Sequence, residues 1–144
     1  MRAASIDRSV LDASMTLSWA FEGEATQFTV AVLKSLETFR AVVPALWPFE
    51  VASVLSTAER RGRMDSPAQV AFLERLRLLP IAIEHRPATW LAQQILLLAR
   101  TYKLSAYDAA YLELAIREGL PLATLDDDLR RGPCAAGVAL VGVA

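Results

Sequence analysis

Four acids lie where neither burial nor chain geometry calls for one. Asp12 closes the short apolar run Ser9-Val10-Leu11, and Glu50 shares a helical stripe with Trp47, Val51 and Val54. Asp108 has Leu104, Tyr111 and Leu112 as its i−4, i+3 and i+4 neighbours, and Asp126 follows Leu122-Ala123-Thr124 with Asp127 and Asp128 behind it. An unpaired charge on an apolar helical face is costly. Carboxylates gathered together repel and do not all stay ionised without a cation. Hard oxygen donors select Mg2+ or Mn2+, ions that keep several waters and commonly bridge to phosphate. Such a cation lowers the pKa of a bound water and stabilises in-line attack on a phosphodiester.

Each acid also has a plainer reading. Asp12 is placed to cap the next helix, as is Ser14. Glu50 could be half of a buried arginine pair or a snorkelling side chain. Asp108 suits the positive end of a helix dipole, and the Asp126 group suits a capped or solvated turn. Taken jointly, two acids at strand ends and two near helix starts favour one shared rim.

The elements that must position them alternate short β-like runs with longer helical stretches. Strands are expected over residues 9–11, 41–43, 81–83, 120–124 and 138–143. Helices are expected over 13–21, 24–39, 47–61, 68–78, 88–102 and 106–118, with a helical turn over 126–131. Phe28, Val32, Leu36 and Phe39 recur at helical spacing, Pro48 is tolerable only in a first turn, and Ser66-Pro67 is a good helix start. Ser105 caps the helix that Gly119 stops. Strands separated by helices imply crossovers, hence a single α/β domain over residues 1–144 with a mostly parallel central sheet and helices on both faces. Ligands of such sheets sit beyond the carboxyl ends of the strands, where Asp12 and Asp126 fall.

The chain has 144 residues, 54% of them apolar, which suffices for one dense core with apolar surface left for a partner. With 15 Lys+Arg against 16 Asp+Glu there is no long-range positive field, so nucleic-acid binding would need a local patch. Arg60, Arg61 and Arg63 are the densest such patch and the candidates for phosphate contact, since guanidinium forks match phosphate oxygens. As cations at a helix C-terminus they are equally explained by the dipole. Arg130 and Arg131 flank the Asp126 turn and are read as partners of Asp127 and Asp128 before guides for substrate.

One cysteine, Cys134, excludes an internal disulfide and is read as a small structural residue; one histidine, His85, excludes a multi-His metal site. The longest apolar run, residues 95–99, is far below the roughly 20 residues of a membrane span. Asp7, Arg8 and Asp12 interrupt any signal-like segment, so a cytoplasmic protein is expected. Trp19, Phe21, Phe28 and Trp47 are read as core residues, some able to line a groove for a partner helix or strand.

Val10-Leu11-Asp12-Ala13-Ser14, Pro44 with Glu50-Val51-Ala52-Ser53-Val54-Leu55, Ser105-Ala106-Tyr107-Asp108-Ala109-Ala110-Tyr111-Leu112 and Leu122-Ala123-Thr124-Leu125-Asp126 together resemble the PIN-domain ribonucleases. The likeness is greatest to the VapC toxins of bacterial toxin–antitoxin pairs. It runs over essentially the whole chain, and Tyr107-Asp108 and Thr124-x-Asp126 are its most specific parts.

The resemblance implies a three-layer α/β/α PIN-like domain in which Asp12, Glu50, Asp108 and Asp126 hold Mg2+ or Mn2+ and carry the catalysis. It implies that Ser14 and Thr124 orient carboxylates or metal-bound water, and that Asp128 has an auxiliary role. It further implies RNA cleaved by metal-activated water, a homodimer, and a cognate VapB-type antitoxin that blocks the site. Two departures stand out: residues preceding the first strand, with Asp7 as a decoy acid, and only two lysines, Lys34 and Lys103. A non-catalytic scaffold of the same fold is the alternative, against which the intact quartet argues. A phospho-acceptor receiver domain wants a lysine near its acids, and neither Lys34 nor Lys103 is well placed for it.

Overall fold

The structure is a computed structural model that describes residues 7–142, apart from the side chains of residues 134 and 135. Four parallel strands form one sheet: β1 (Arg8–Leu11), β2 (Arg40–Pro44), β3 (Ile81–Glu84) and β4 (Leu122–Ala123), in the order β3-β2-β1-β4. Val10 pairs with Val42 on one side and Leu122 on the other. Val10-Leu11, Val42-Val43 and Leu122-Ala123 are unbroken apolar pairs, as a sheet covered on both faces requires.

Each crossover carries helices. Between β1 and β2 run α1 (Ala13–Ser18), a short 3-10 turn (Glu22–Glu24) and α2 (Gln27–Ser35). Between β2 and β3 run α3 (Trp47–Arg60) and α4 (Ser66–Arg77). Then come α5 (Ala88–Tyr102) and α6 (Ala106–Glu118) before β4, and α7 (Asp127–Ala136) after it. The core joins Met15, Val32, Leu55 and Phe72 to Tyr111, Leu112 and Leu114 of α6, which packs on β1, β2 and β4. Edge strand β3 leaves Ile83 exposed, and no residue of α5 is fully buried.

Several sequence expectations shift in physical detail. The strand expected over 120–124 shrinks to two residues: Pro121 has no N–H to donate, and the Leu120 N–H is spent on the Ala115 carbonyl of α6. No strand forms over the described part of 138–143, and Val143 lies outside the described residues. Leu140 makes a single parallel bridge to Leu122, between left-handed turns at Gly137 (φ 79) and Gly142 (φ 78) that cut the segment short.

The helix expected from residue 24 begins at Gln27 because Thr26 and Thr29 form a reciprocal capping box there, and it ends at Ser35. The helix expected over 13–21 already ends at Ser18. The cap of α4 is Asp65, whose side chain accepts from the Ala68 N–H at 2.9 Å; Ser66 and Pro67 lie in the first turn. The expected turn at 126–131 is the full helix α7. Trp47 is buried, donating its indole N–H to Thr16 Oγ1 at 3.1 Å, while Trp19, Phe21 and Phe28 are half-buried.

Candidate active site

The chain order reverses between β1 and β4, so the crevice beyond their carboxyl ends is the switch point where parallel sheets take ligands. Asp12 leaves β1 there, 4% exposed, and occupies the N-cap position of α1 without making a side-chain cap bond. Its carboxylate turns across the crevice instead. Oδ2 accepts from Ser14 Oγ at 2.6 Å and from Thr124 Oγ1 at 2.5 Å. The hydroxyls are held in turn, since Leu125 N–H donates to Ser14 Oγ and Asp126 N–H to Thr124 Oγ1, both at 3.0 Å. Ser14 and Thr124 thus tie the two strand ends together around one buried acid.

Glu50 sits in the first turn of α3, where Oε1 accepts from the hydroxyl of fully buried Tyr111 at 2.5 Å. No ion pair reaches Glu50 among the described residues, so its polar partner is a tyrosine and not the arginine one reading of the sequence offered. Asp108 is in the first turn of α6, whose Ser105 cap accepts the Asp108 N–H at 3.1 Å. Asp126 caps α7, its Oδ1 accepting from Leu129 N–H at 2.9 Å. Helices α3, α6 and α7 therefore each place an acid at their positive ends.

Burial and neighbouring charge act on Asp12, Glu50 and Asp108. Burial is the main force raising the Asp12 pKa, with the Asp126 charge adding and the Ser14 and Thr124 hydroxyls opposing. Burial also raises Glu50, against the Tyr111 bond, with Asp12 and Asp126 adding. Asp108 is pushed up to about 6, first by burial, then by Asp126 and Asp12, with the Ser105 cap opposing and Glu50 adding last. Burial and then Glu50 raise the Tyr111 phenol, which stays a neutral donor at any working pH.

A pH dependence of stability follows. Because the folded pKa of Asp108 exceeds the unfolded value, the folded state holds more protons between about pH 4 and pH 6, and stability falls as pH rises through that window. In EDTA, the melting temperature of the wild type should drop from pH 5 to pH 7.5 by more than that of Asp108→Asn. Equal drops would show that Asp108 is not under this pressure.

The remaining candidates lie elsewhere. Asp128 is exposed and paired with Arg131. Arg60 bonds Ser56 and Thr57 on its own helix, about 15 Å of helix beyond Glu50. Arg63 pairs with Glu24 at 3.5 Å and stacks over the Phe21 ring at 4.7 Å, and Arg61 is exposed. The structure brings none of these arginines to the rim. Tyr111 went unread as a polar residue in the sequence, although a carboxylate on a buried stripe needs a donor and Tyr111 carries one.

A donor set of carboxylate oxygens suits a hard divalent ion. Among the described residues no group of three or more Asp, Glu, His or Cys side chains is arranged to hold a metal ion. Mg2+ does not require one, since it is usually held by one or two carboxylates with water and phosphate completing the shell. An open acidic rim fits that habit. Beside Glu50 a cleft of about 390 Å³ is lined by Leu46, Phe49, Glu50, Ser53, Val54 and Tyr107.

Parallel sheet, switch-point crevice and carboxylate rim together define a small α/β domain built around an acidic pocket. The sequence pattern of the PIN domain matches residues 9–133, and the chain belongs to that family. Among solved structures it is similar to PAE2754 from Pyrobaculum aerophilum, with 23% identity, a TM-score of 0.68, and 90% of this chain and 87% of that one covered. It is also similar to the Sarcin-Ricin loop cleaving toxin VapC20 from Mycobacterium tuberculosis, with 20% identity, a TM-score of 0.67 and coverage of 92% and 97%. A third likeness is to VapBC2 from Rickettsia felis bound to a DNA fragment from their promoter, with 14% identity, a TM-score of 0.65 and coverage of 92% and 96%. No curated protein sequence matches the chain.

Proposed function

We propose that the chain is a Mg2+- or Mn2+-dependent endoribonuclease of the VapC toxin kind, restrained by a cognate VapB-type antitoxin. One observation carries this reading: acids from separate stretches of chain are coupled at the switch point, where burial and then the charges of Asp126, Asp12 and Glu50 push Asp108 up to about 6. Asp12, Glu50, Asp108 and Asp126 would hold the ion, which when bound activates water and offsets charge on the phosphate. Ser14 and Thr124 fix the Asp12 carboxylate, and Tyr111 fixes that of Glu50. The N-termini of α3, α6 and α7 favour an approaching phosphate. The RNA-cleaving toxin among the structural neighbours supports RNA as the substrate, and the VapBC complex supports an antitoxin partner. Exposed α5 and the open edge of β3 support a homodimer, since an apolar face of this kind is commonly covered by a partner.

Metal removal tests the reading. Protein stripped with EDTA should leave labelled RNA intact, and added Mg2+ or Mn2+ should restore internal cleavage. Equal cutting in excess EDTA would overturn it.

A further inference from the structure

Phe49, 77% exposed, and Tyr107, 64% exposed, are the two most exposed aromatic side chains among the described residues, and both line the cleft beside Glu50. Each immediately precedes a rim acid in the first turn of its helix, Phe49 before Glu50 on α3 and Tyr107 before Asp108 on α6. Successive residues of a helix diverge by about 100°, so an acid turned into the rim sets its neighbour's ring at the rim's border. Two rings left this exposed at one cleft mark a recognition surface. Leu46 and Val54 give the cleft further apolar wall, and Ser53 and Glu50 give it polar lining.

We propose that this cleft takes an unpaired nucleobase of the RNA, stacked on Phe49 and Tyr107, so that its sugar–phosphate lies at the acidic rim. The proposal rests on the ribonuclease reading and deepens it by naming what is recognised: a base splayed out of a loop or single strand. Charge favours a base as occupant. The net charge is −1, the rim is acidic, and Arg60 and Arg63 are engaged at the far end of α3, so backbone attraction is weak and affinity must come from the bases. Aromatic faces supply that affinity without reading sequence.

The test is fluorescence anisotropy with a fluorescein-labelled, unstructured dodecamer of A and U, in an Asp12→Asn background that keeps the RNA intact. Phe49→Ala and Tyr107→Ala should each weaken binding about 5- to 150-fold at an unchanged melting temperature, the range expected for one lost base stack. Phe49→Tyr and Tyr107→Phe keep a ring face and should bind like the parent. Phe49→Leu keeps apolar bulk without the face and should bind as weakly as the alanine variant. An abasic dodecamer should bind the parent weakly and lose nothing further on Phe49→Ala.

Unchanged binding in both alanine variants would overturn the stacking site, as would no binding by the parent. Full binding by Phe49→Leu would also overturn it, in favour of an apolar protein segment as the occupant. Cleavage of the same RNA by the wild type in Mg2+ is scored separately. Cleavage with ring-independent binding leaves the nuclease standing and removes the base site, whereas ring-dependent binding without cleavage does the reverse.

Discussion

Asp12→Asn and Asp108→Asn should each lower Mg2+-dependent RNA cleavage by about 10²–10³-fold or more, toward the level seen in excess EDTA, with far-UV circular dichroism unchanged. Losing one electrostatic contributor from a preorganised site commonly costs that much. The two variants separate catalysis from folding because they move stability the other way. Asp12 is 4% exposed and its ionised form is disfavoured first by burial and then by the nearby Asp126 charge. A neutral amide relieves both costs. Without metal, Asp12→Asn should therefore melt at a higher temperature than the wild type, and adding Mg2+ should stabilise the wild type more than the variant. A variant that melts lower in EDTA, or a wild type indifferent to Mg2+, would count against a shared acidic pocket.

Thr124→Val should be the most damaging change outside the four acids. The Thr124 hydroxyl donates to Asp12 Oδ2 and accepts from Asp126 N–H, so one buried atom serves two acids. Valine keeps the shape and leaves both partners short of a bond. Asp12 Oδ2 keeps its Ser14 bond, so the Asp126 N–H is the group left unsatisfied, and the loss of stability should be about 1–3 kcal/mol by chemical denaturation. Groups that orient metal ligands commonly matter 10–100-fold, so Mg2+ affinity and cleavage should fall by about that factor. Thr124→Ser restores the hydroxyl and should recover most of both. Equal behaviour of the valine and serine variants would show that the methyl group, and not the oxygen, matters at this position.

Much of this architecture was legible because its elements are short and sharply punctuated. The apolar runs at Val10-Leu11 and Val42-Val43, the Ser105 cap and the Gly119 stop fall where the sequence puts them. Boundaries failed where a tertiary partner decided them. Leu140 could not make a strand alongside Leu122 between two left-handed glycines, and Pro121 shortened β4 from its start.

The acids could be picked out one by one, since each breaks a local pattern. Their supports could not: Ser14 and Thr124 are separated by most of the chain, and Tyr111 looks like any other buried aromatic at helical spacing. Density of charge along the chain is a separate matter from nearness to the acids. Arg60, Arg61 and Arg63 are dense in sequence, yet α3 carries them to the end away from Glu50, and Asp128 is exposed and paired with Arg131.

The order of the strands also bears on when the acidic crevice can assemble during synthesis. Asp12 is translated well before its neighbour in the sheet, β4, and the acid that follows it, Asp126. At ordinary elongation rates of about 5–20 residues per second, about 6 to 23 seconds separate Asp12 from Asp126 on the ribosome. A nascent chain thus lacks the complete crevice throughout that interval, and one that stops before Asp126 never forms it.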